Sequence, residues 1–222
     1  MFGNVRIPFT DIRIGRFLFL FISMVLMFVF RPFLEDFMGV RYLMGIFFLV
    51  IFISAVYAVS QKRSTLIIAL FLLLLVEVFQ LLSHLLDIPF LDTLSNIMGS
   101  LLLAYTGAII FLYLFSEDRI TGDMIMGAIC LYFLMGLAWA FVYSTLEFFQ
   151  PGSFQMPRGT VNQATFTYYS YVTLTTLGYG DITPISTPAR SFALLEAMMG
   201  QLYLAVLVAR LVGIHIAQSI RS

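Results

Sequence analysis

The chain has 222 residues, of which 61% are hydrophobic and 11% charged. A soluble domain is nearer half apolar and a quarter charged, so an ordinary soluble globule is excluded and an integral membrane protein is expected. Lys and Arg number 12, as do Asp and Glu, so net charge offers no footprint for nucleic acid; the single cysteine, Cys130, excludes an intrachain disulfide.

Arg6, Arg13 and Arg16 precede an apolar run from Phe17 to Phe30. The run is short for a span, which takes roughly 20 residues, and a basic flank with a short apolar run also suits a cleaved signal peptide. No small-x-small cleavage site follows, only Arg31-Pro32-Phe33. Snorkelling of Arg16 and Arg31 would lengthen the run, so it reads as a retained first helix. The second run, Tyr42 to Ser60, ends in Gln61-Lys62-Arg63. The third extends from Leu66 to about Leu86, with Ser64 as N-cap and Asp87-Ile88-Pro89 as terminator. The fourth runs from about Leu94 to Phe115 and the fifth from Met124 to Phe148, with Thr121 as N-cap of the latter. A polar connection with Pro151-Gly152 and Pro157 follows. A short segment, Val161 to Thr175, begins with a capping-box pattern, Thr160-Val161-Asn162-Gln163. The last helix has Thr187-Pro188 as N-cap and first residue and continues to about Ala217.

Six spans put both termini on one side. With the N-terminus inside, the inner segments hold eight basic residues (Arg6, Arg13, Arg16, Lys62, Arg63, Arg119, Arg210, Arg221) and the outer ones four (Arg31, Arg41, Arg158, Arg190). The positive-inside rule supports a multi-pass protein of the cell membrane with cytoplasmic termini.

Between the short segment and the last helix lies Thr173-Leu-Thr-Thr-Leu-Gly-Tyr-Gly-Asp181, neither a helix nor a strand pattern. Gly178 and Gly180 allow positive φ at little steric cost. Left-handed and extended residues in alternation turn successive carbonyls toward one side. Four such strands around an axis make stacked oxygen rings that replace the water shell of a cation, the requirement of a potassium filter. The plainer alternative is a Gly-rich turn between two helices; the position between two apolar helices of a membrane protein favours the filter. Irregular backbone at membrane depth needs protein around it or a water-filled path. The C-terminal end of the short helix, near Thr175, aims its negative dipole end at the cavity below. The expected ion ligands are the carbonyls of Thr176, Leu177, Gly178 and Tyr179 with the Thr176 hydroxyl, Gly180 completing the strand.

The stretch Thr176-Leu-Gly-Tyr-Gly-Asp181 resembles the selectivity filter of tetrameric potassium channels, with Leu177 where that family usually has Val. From Tyr168 to Gly200 the resemblance runs without a gap. Gly127 to Tyr132, Gly136 to Trp139 and Gly200 to Leu211 resemble bacterial six-helix ion-channel proteins. Over the first four helices the likeness is one of hydropathy. The resemblance implies that Tyr168 and Tyr169 stand where the family often has two Trp, with Tyr169 bonding Asp181. It also implies that Glu147 braces the backbone behind the filter, that Pro184 and Arg190 belong to the outer loop and the start of the inner helix, that Gly200 sits where the inner helix often bends, and that Gln201 faces the cavity. For Gln201 a helix–helix hydrogen bond is the alternative. Glu196, one turn earlier, is expected to brace the filter region or to pair within the protein. One chain brings one filter strand, so a homotetramer is implied.

The expected fold is thus an all-α membrane protein with six transmembrane helices and a re-entrant pore helix. Residues 1–119 form a four-helix domain laid out like a voltage sensor, and 120–222 the pore domain. The fourth run has no Lys or Arg, so the Arg ladder that a voltage sensor needs is missing. Glu77, Gln80, His84 and Asp87 share one face of the third helix. Glu77 lies near mid-membrane, so it is expected protonated or hydrogen-bonded, to Ser54 or Tyr57. Glu77 and His84 are candidate proton or ligand sensors, with polar glue between helices the preferred alternative. Arg210 is expected to snorkel to the inner surface, and His215 to lie at the interface. No nucleophile–base pair or metal spacing speaks for an enzyme; Glu77, His84 and Asp87 form a metal cluster on paper only. No cofactor is expected beyond permeant K+, no partner beyond lipid and further copies, and no soluble regulatory domain. The expected function is passive K+ permeation, with a weakly selective cation channel or a non-conducting pore-fold subunit as alternatives.

Overall fold

The computed structural model describes residues 16–34, 40–59, 63–116, 119–156 and 162–221. The expected Thr160 cap and the basic residues Arg6, Arg13, Lys62 and Arg158 lie outside these. The elements are α1 (Arg16–Leu34), α2 (Val40–Val59), α3 (Arg63–Leu86), α4 (Pro89–Ser116), α5 (Gly122–Phe149), β1 (Phe154–Gln155), α6 (Gln163–Leu174), β2 (Thr183–Pro184) and α7 (Thr187–Arg221). Among the described residues, four helices are long and apolar enough to cross a membrane: Arg63–Leu86, Pro89–Ser116, Gly122–Phe149 and Thr187–Gln218. The apolar stretches Phe17–Phe30 and Ile46–Ala58 in α1 and α2 are shorter.

Several ends differ from the sequence reading. α4 starts at Pro89, not near Leu94, because proline has no amide to lose at the first helical position and Asp92 in the first turn suits the helix dipole. Asp87, at φ 52°, takes the left-handed residue between α3 and α4. α3 includes Ser64, which is therefore in its first turn and not its cap. α6 is capped by Asn162, whose Oδ1 accepts from the Thr165 amide at 2.9 Å. α7 is capped by Ser186, whose Oγ accepts from the Ala189 amide at 3.3 Å, so Thr187 lies inside the helix. Thr121 caps α5 as expected, accepting from Met124 N at 3.1 Å.

The core of α1 to α5 is built on Phe17, Leu20, Met24, Phe52, Leu102, Leu131 and Phe141. α4 packs against α3 and α5, and α1 against α2 and α5. A second cluster centres on Tyr143, Phe154, Phe166, Tyr169 and Ile182, where α5, β1 and α6 meet. β1 and β2 pair antiparallel, Phe154 opposite Pro184 and Gln155 opposite Thr183. The Ser153 carbonyl accepts from Ile185 N at 2.8 Å, which ties the chain entering α6 to the chain leaving for α7.

α6 and α7 come together at Gly200. A Cβ there would lie 2.3 Å from the Leu174 carbonyl oxygen, the last turn of α6. α7 continues through this glycine as one helix. Gly213, on the same helix, has open space around it. Gly200→Ala is therefore expected to destabilise the protein by about 1–3 kcal/mol through overpacking, while Gly213→Ala leaves it unchanged or raises stability by up to about 1 kcal/mol through helix propensity. Thermal unfolding of the two variants in detergent checks this.

Candidate functional site: the segment between α6 and α7

The last turn of α6 unwinds into an irregular strand. Thr175 closes the helix, its amide and hydroxyl both bonding to the Tyr171 carbonyl, at 3.1 and 2.6 Å. The Leu177 and Gly178 amides then turn back and share the Val172 carbonyl, at 2.9 and 3.3 Å. Three alternate residues take positive φ: Thr176 at 59°, Gly178 at 58° and Gly180 at 77°. Two glycines make this cheap; Thr176 pays roughly 1–2 kcal/mol for it, as a residue with a Cβ. Among the described residues, no hydrogen bond found accepts on a carbonyl from Thr176 to Gly180. The segment 175–181 is exposed throughout in the protomer. The Leu177 and Gly178 amides are thus tied back to α6.

The flanks hold the strand at both ends. At the outer end the Tyr168 hydroxyl donates to Asp181 Oδ2 at 2.7 Å, and the Ile182 amide to Oδ1 at 3.1 Å. Bonding to Asp181 pushes the Tyr168 phenol up to about 12. This corrects the assignment of that bond to Tyr169, which is buried between the rings of Tyr143 and Phe154, at 5.0 and 5.2 Å. At the inner end Gln201 Nε2 lies 3.4 Å from Thr176 Oγ1, so Gln201 stands beside the foot of the strand.

Among the described residues, no hydrogen bond joins Glu147 to the segment. Its Oε1 accepts from Gly152 N at 2.8 Å and so stabilises the turn after α5. The carboxyl that bonds to α5 and α6 is that of Glu196 of α7, which is fully buried. Tyr143 of α5 donates to its Oε2 at 2.5 Å, and Ser170 of α6 meets its Oε1. Ser170 Oγ also bonds to the Gly136 carbonyl of α5 at 2.6 Å.

A set of tyrosines that sequence reasoning left unassigned adds to this clasp. Tyr132 OH donates to the Leu174 carbonyl at 3.2 Å, Tyr171 OH to Phe133 O at 2.5 Å, and Tyr203 OH to Ala128 O at 2.7 Å. A Cβ on Gly136 would lie 2.5 Å from the Tyr171 ring, so that glycine makes room for it. The available signal was hydroxyls inside apolar helices, which need partners when buried.

The remaining candidates lie elsewhere. Glu77 Oε1 is buried with no hydrogen-bond partner, so neither Ser54 nor Tyr57 supplies one to that oxygen. His84 is exposed, with Nδ1 2.8 Å from the Gln80 carbonyl. Among the described residues no group of three or more His, Cys, Asp and Glu is placed to hold a metal ion, so Glu77, His84 and Asp87 do not form one. Arg210 Nε donates to the Leu114 carbonyl at 2.9 Å, and its guanidinium lies 4.7 Å from the centre of the Phe115 ring. It thereby serves the C-terminal end of α4, where carbonyls lack helical partners.

Residues 128–215 match the protein-family model described as "Ion channel". The match covers less than half of the chain. The match begins in α5, ends in α7, and takes in α6 and the irregular strand. It supports ion-channel activity and points to a channel, not an enzyme. No curated protein and no solved structure matches the chain significantly.

Removing the Tyr143 hydroxyl leaves Glu196 Oε2 buried without its donor. Tyr143→Phe is expected to cost about 1–3 kcal/mol, the penalty for an unsatisfied buried acceptor, read as a lowered midpoint of thermal unfolding in detergent.

Proposed function

We propose that the chain is one subunit of a homotetrameric potassium channel, with the strand 176–180 as its selectivity filter. The observation that supports this reading is the alternation of positive φ at Thr176, Gly178 and Gly180, with the Leu177 and Gly178 amides anchored on the Val172 carbonyl and, among the described residues, no hydrogen bond to a carbonyl from Thr176 to Gly180. A dehydrated cation on the axis of four such strands meets rings of carbonyl oxygens in place of water. The ligands are the carbonyls of Thr176, Leu177, Gly178 and Tyr179 and the Thr176 hydroxyl. Tyr168 with Asp181, and Thr175 with α6, hold the two ends. Gln201 lines the entrance from the cavity, and the negative end of α6 favours a cation there.

Two features support a closed ring of copies. Leu177 and Tyr179 are 56% and 67% exposed in the protomer, although both are large and apolar. The outward face of α7, with Leu194, Met198, Leu202 and Val208, is exposed as well. Neighbouring copies and lipid would cover both. In this reading α1 and α2 complete six spans, the termini are cytoplasmic, the protein resides in the plasma membrane, and permeation is passive. The absence of a Lys or Arg ladder in α4 separates gating from a charged fourth helix.

Purified protein in liposomes is expected to pass K+ and largely exclude Na+, and Gly178→Ala, which forces a Cβ onto a left-handed residue, is expected to abolish the flux. Equal flux of both ions would make it a weakly selective cation channel. No flux at any potential or pH, from tetramers shown to be intact, would favour a non-conducting subunit.

A further inference from the structure

We propose that Glu196 carries a proton and donates a hydrogen bond to Ser170, so that a neutral carboxylic acid holds α5, α6 and α7 together behind the irregular strand. Ser170 Oγ touches two oxygens, the Gly136 carbonyl at 2.6 Å and Glu196 Oε1. A serine hydroxyl has one proton to give, and a backbone carbonyl only accepts. If Ser170 donates to Gly136, the contact with Glu196 needs a proton from Glu196. If Ser170 donates to Glu196 instead, two bare oxygens are left repelling each other at the Gly136 contact. A protonated Glu196 satisfies every contact: Oε1–H donates to Ser170, Ser170 donates to Gly136, and Tyr143 donates to Oε2 at 2.5 Å.

The surroundings agree. Glu196, Ser170 and Tyr143 are each fully buried. The titratable groups that face Glu196 are phenols, Tyr132 and Tyr143 from α5 and Tyr169 and Tyr171 from α6. The nearest charged residue earlier on α7, Arg190, is exposed and donates to the Pro184 carbonyl. A carboxylate here would be buried without a cation, which is far costlier than a buried neutral acid.

Glu196 is on this account a positioning residue. Ser170 lies two residues before Val172, whose carbonyl anchors the Leu177 and Gly178 amides, so the acid fixes the turn of α6 from which the strand hangs.

Infrared spectroscopy of the purified protein at neutral pH tests the proposal without reference to ion flux, so its outcome is separate from that of the potassium reading. The wild type is expected to show a carboxylic-acid C=O band that disappears in Glu196→Gln, a difference that also removes any contribution from Glu77. Glutamine reproduces the neutral acid, with N–H to Ser170 and C=O to Tyr143, and is expected to unfold within a few degrees of wild type, whereas Glu196→Leu unfolds well below it. In Ser170→Ala the acid band is expected to shift to higher frequency, because the acid loses its acceptor. An unchanged acid band in Glu196→Gln, or an unshifted one in Ser170→Ala, would overturn the proposal. So would a Glu196→Gln protein as unstable as Glu196→Leu.

Discussion

One carbonyl oxygen, that of Val172, anchors the irregular strand between α6 and α7. It lies in the last turn of a helix, where carbonyls have no helical partner to satisfy them. The chain uses that vacancy by folding back so that the Leu177 and Gly178 amides share it. Once these amides are held behind, the peptide planes can alternate only if every second residue is left-handed, as Thr176, Gly178 and Gly180 are. Contacts from α5 and α7 hold the helix that carries Val172. Tyr132 ties the end of α6 to α5, Ser170 and Glu196 tie its middle to α5 and α7, and the missing side chain of Gly200 lets α7 approach its last carbonyls.

This arrangement explains why a short helix of 12 residues can position so irregular a strand. It is held on its sides by hydroxyl-to-carbonyl bonds, and a two-residue β ladder joins the chain before it to the chain after the strand. Such bonds are directional, unlike apolar packing, which tolerates sliding. In a membrane the apolar helices gain little from meeting one another instead of lipid, so polar ties of this kind define the registry. The outer ladder and the Tyr168–Asp181 bond do the same where the strand reaches the surface.

Much of this was legible in the sequence, and the failures are instructive. The helices from α3 onward were visible as apolar runs, because lipid demands unbroken hydrophobicity. The start of α4 was misplaced because proline reads as a terminator from one side and as a first helical residue from the other. The irregular strand was visible because Gly178 and Gly180 alternate with larger residues, but the left-handed Thr176 was not, since nothing in a threonine announces positive φ. Tyr168 and Tyr169 were exchanged because adjacent residues on a helix point about 100° apart, and only packing decides which meets the core. Tyr169 goes to Tyr143 and Phe154, which leaves Tyr168 for Asp181. Of the two acids expected to brace this region, Glu147 is drawn into the Gly152 turn, while Glu196 pairs within the protein as expected, with hydroxyls that no spacing rule connects to it.

The central claim is that the carbonyls of residues 176 to 179 face an ion path in an assembled ring. The most direct measurement is diffraction from crystals of the assembled protein soaked in a potassium substitute with strong anomalous scattering, such as thallium or rubidium. The account predicts anomalous peaks in a row on a fourfold axis, spaced at the levels of these carbonyls. Peaks off the axis, or none while the strand is ordered, would contradict it.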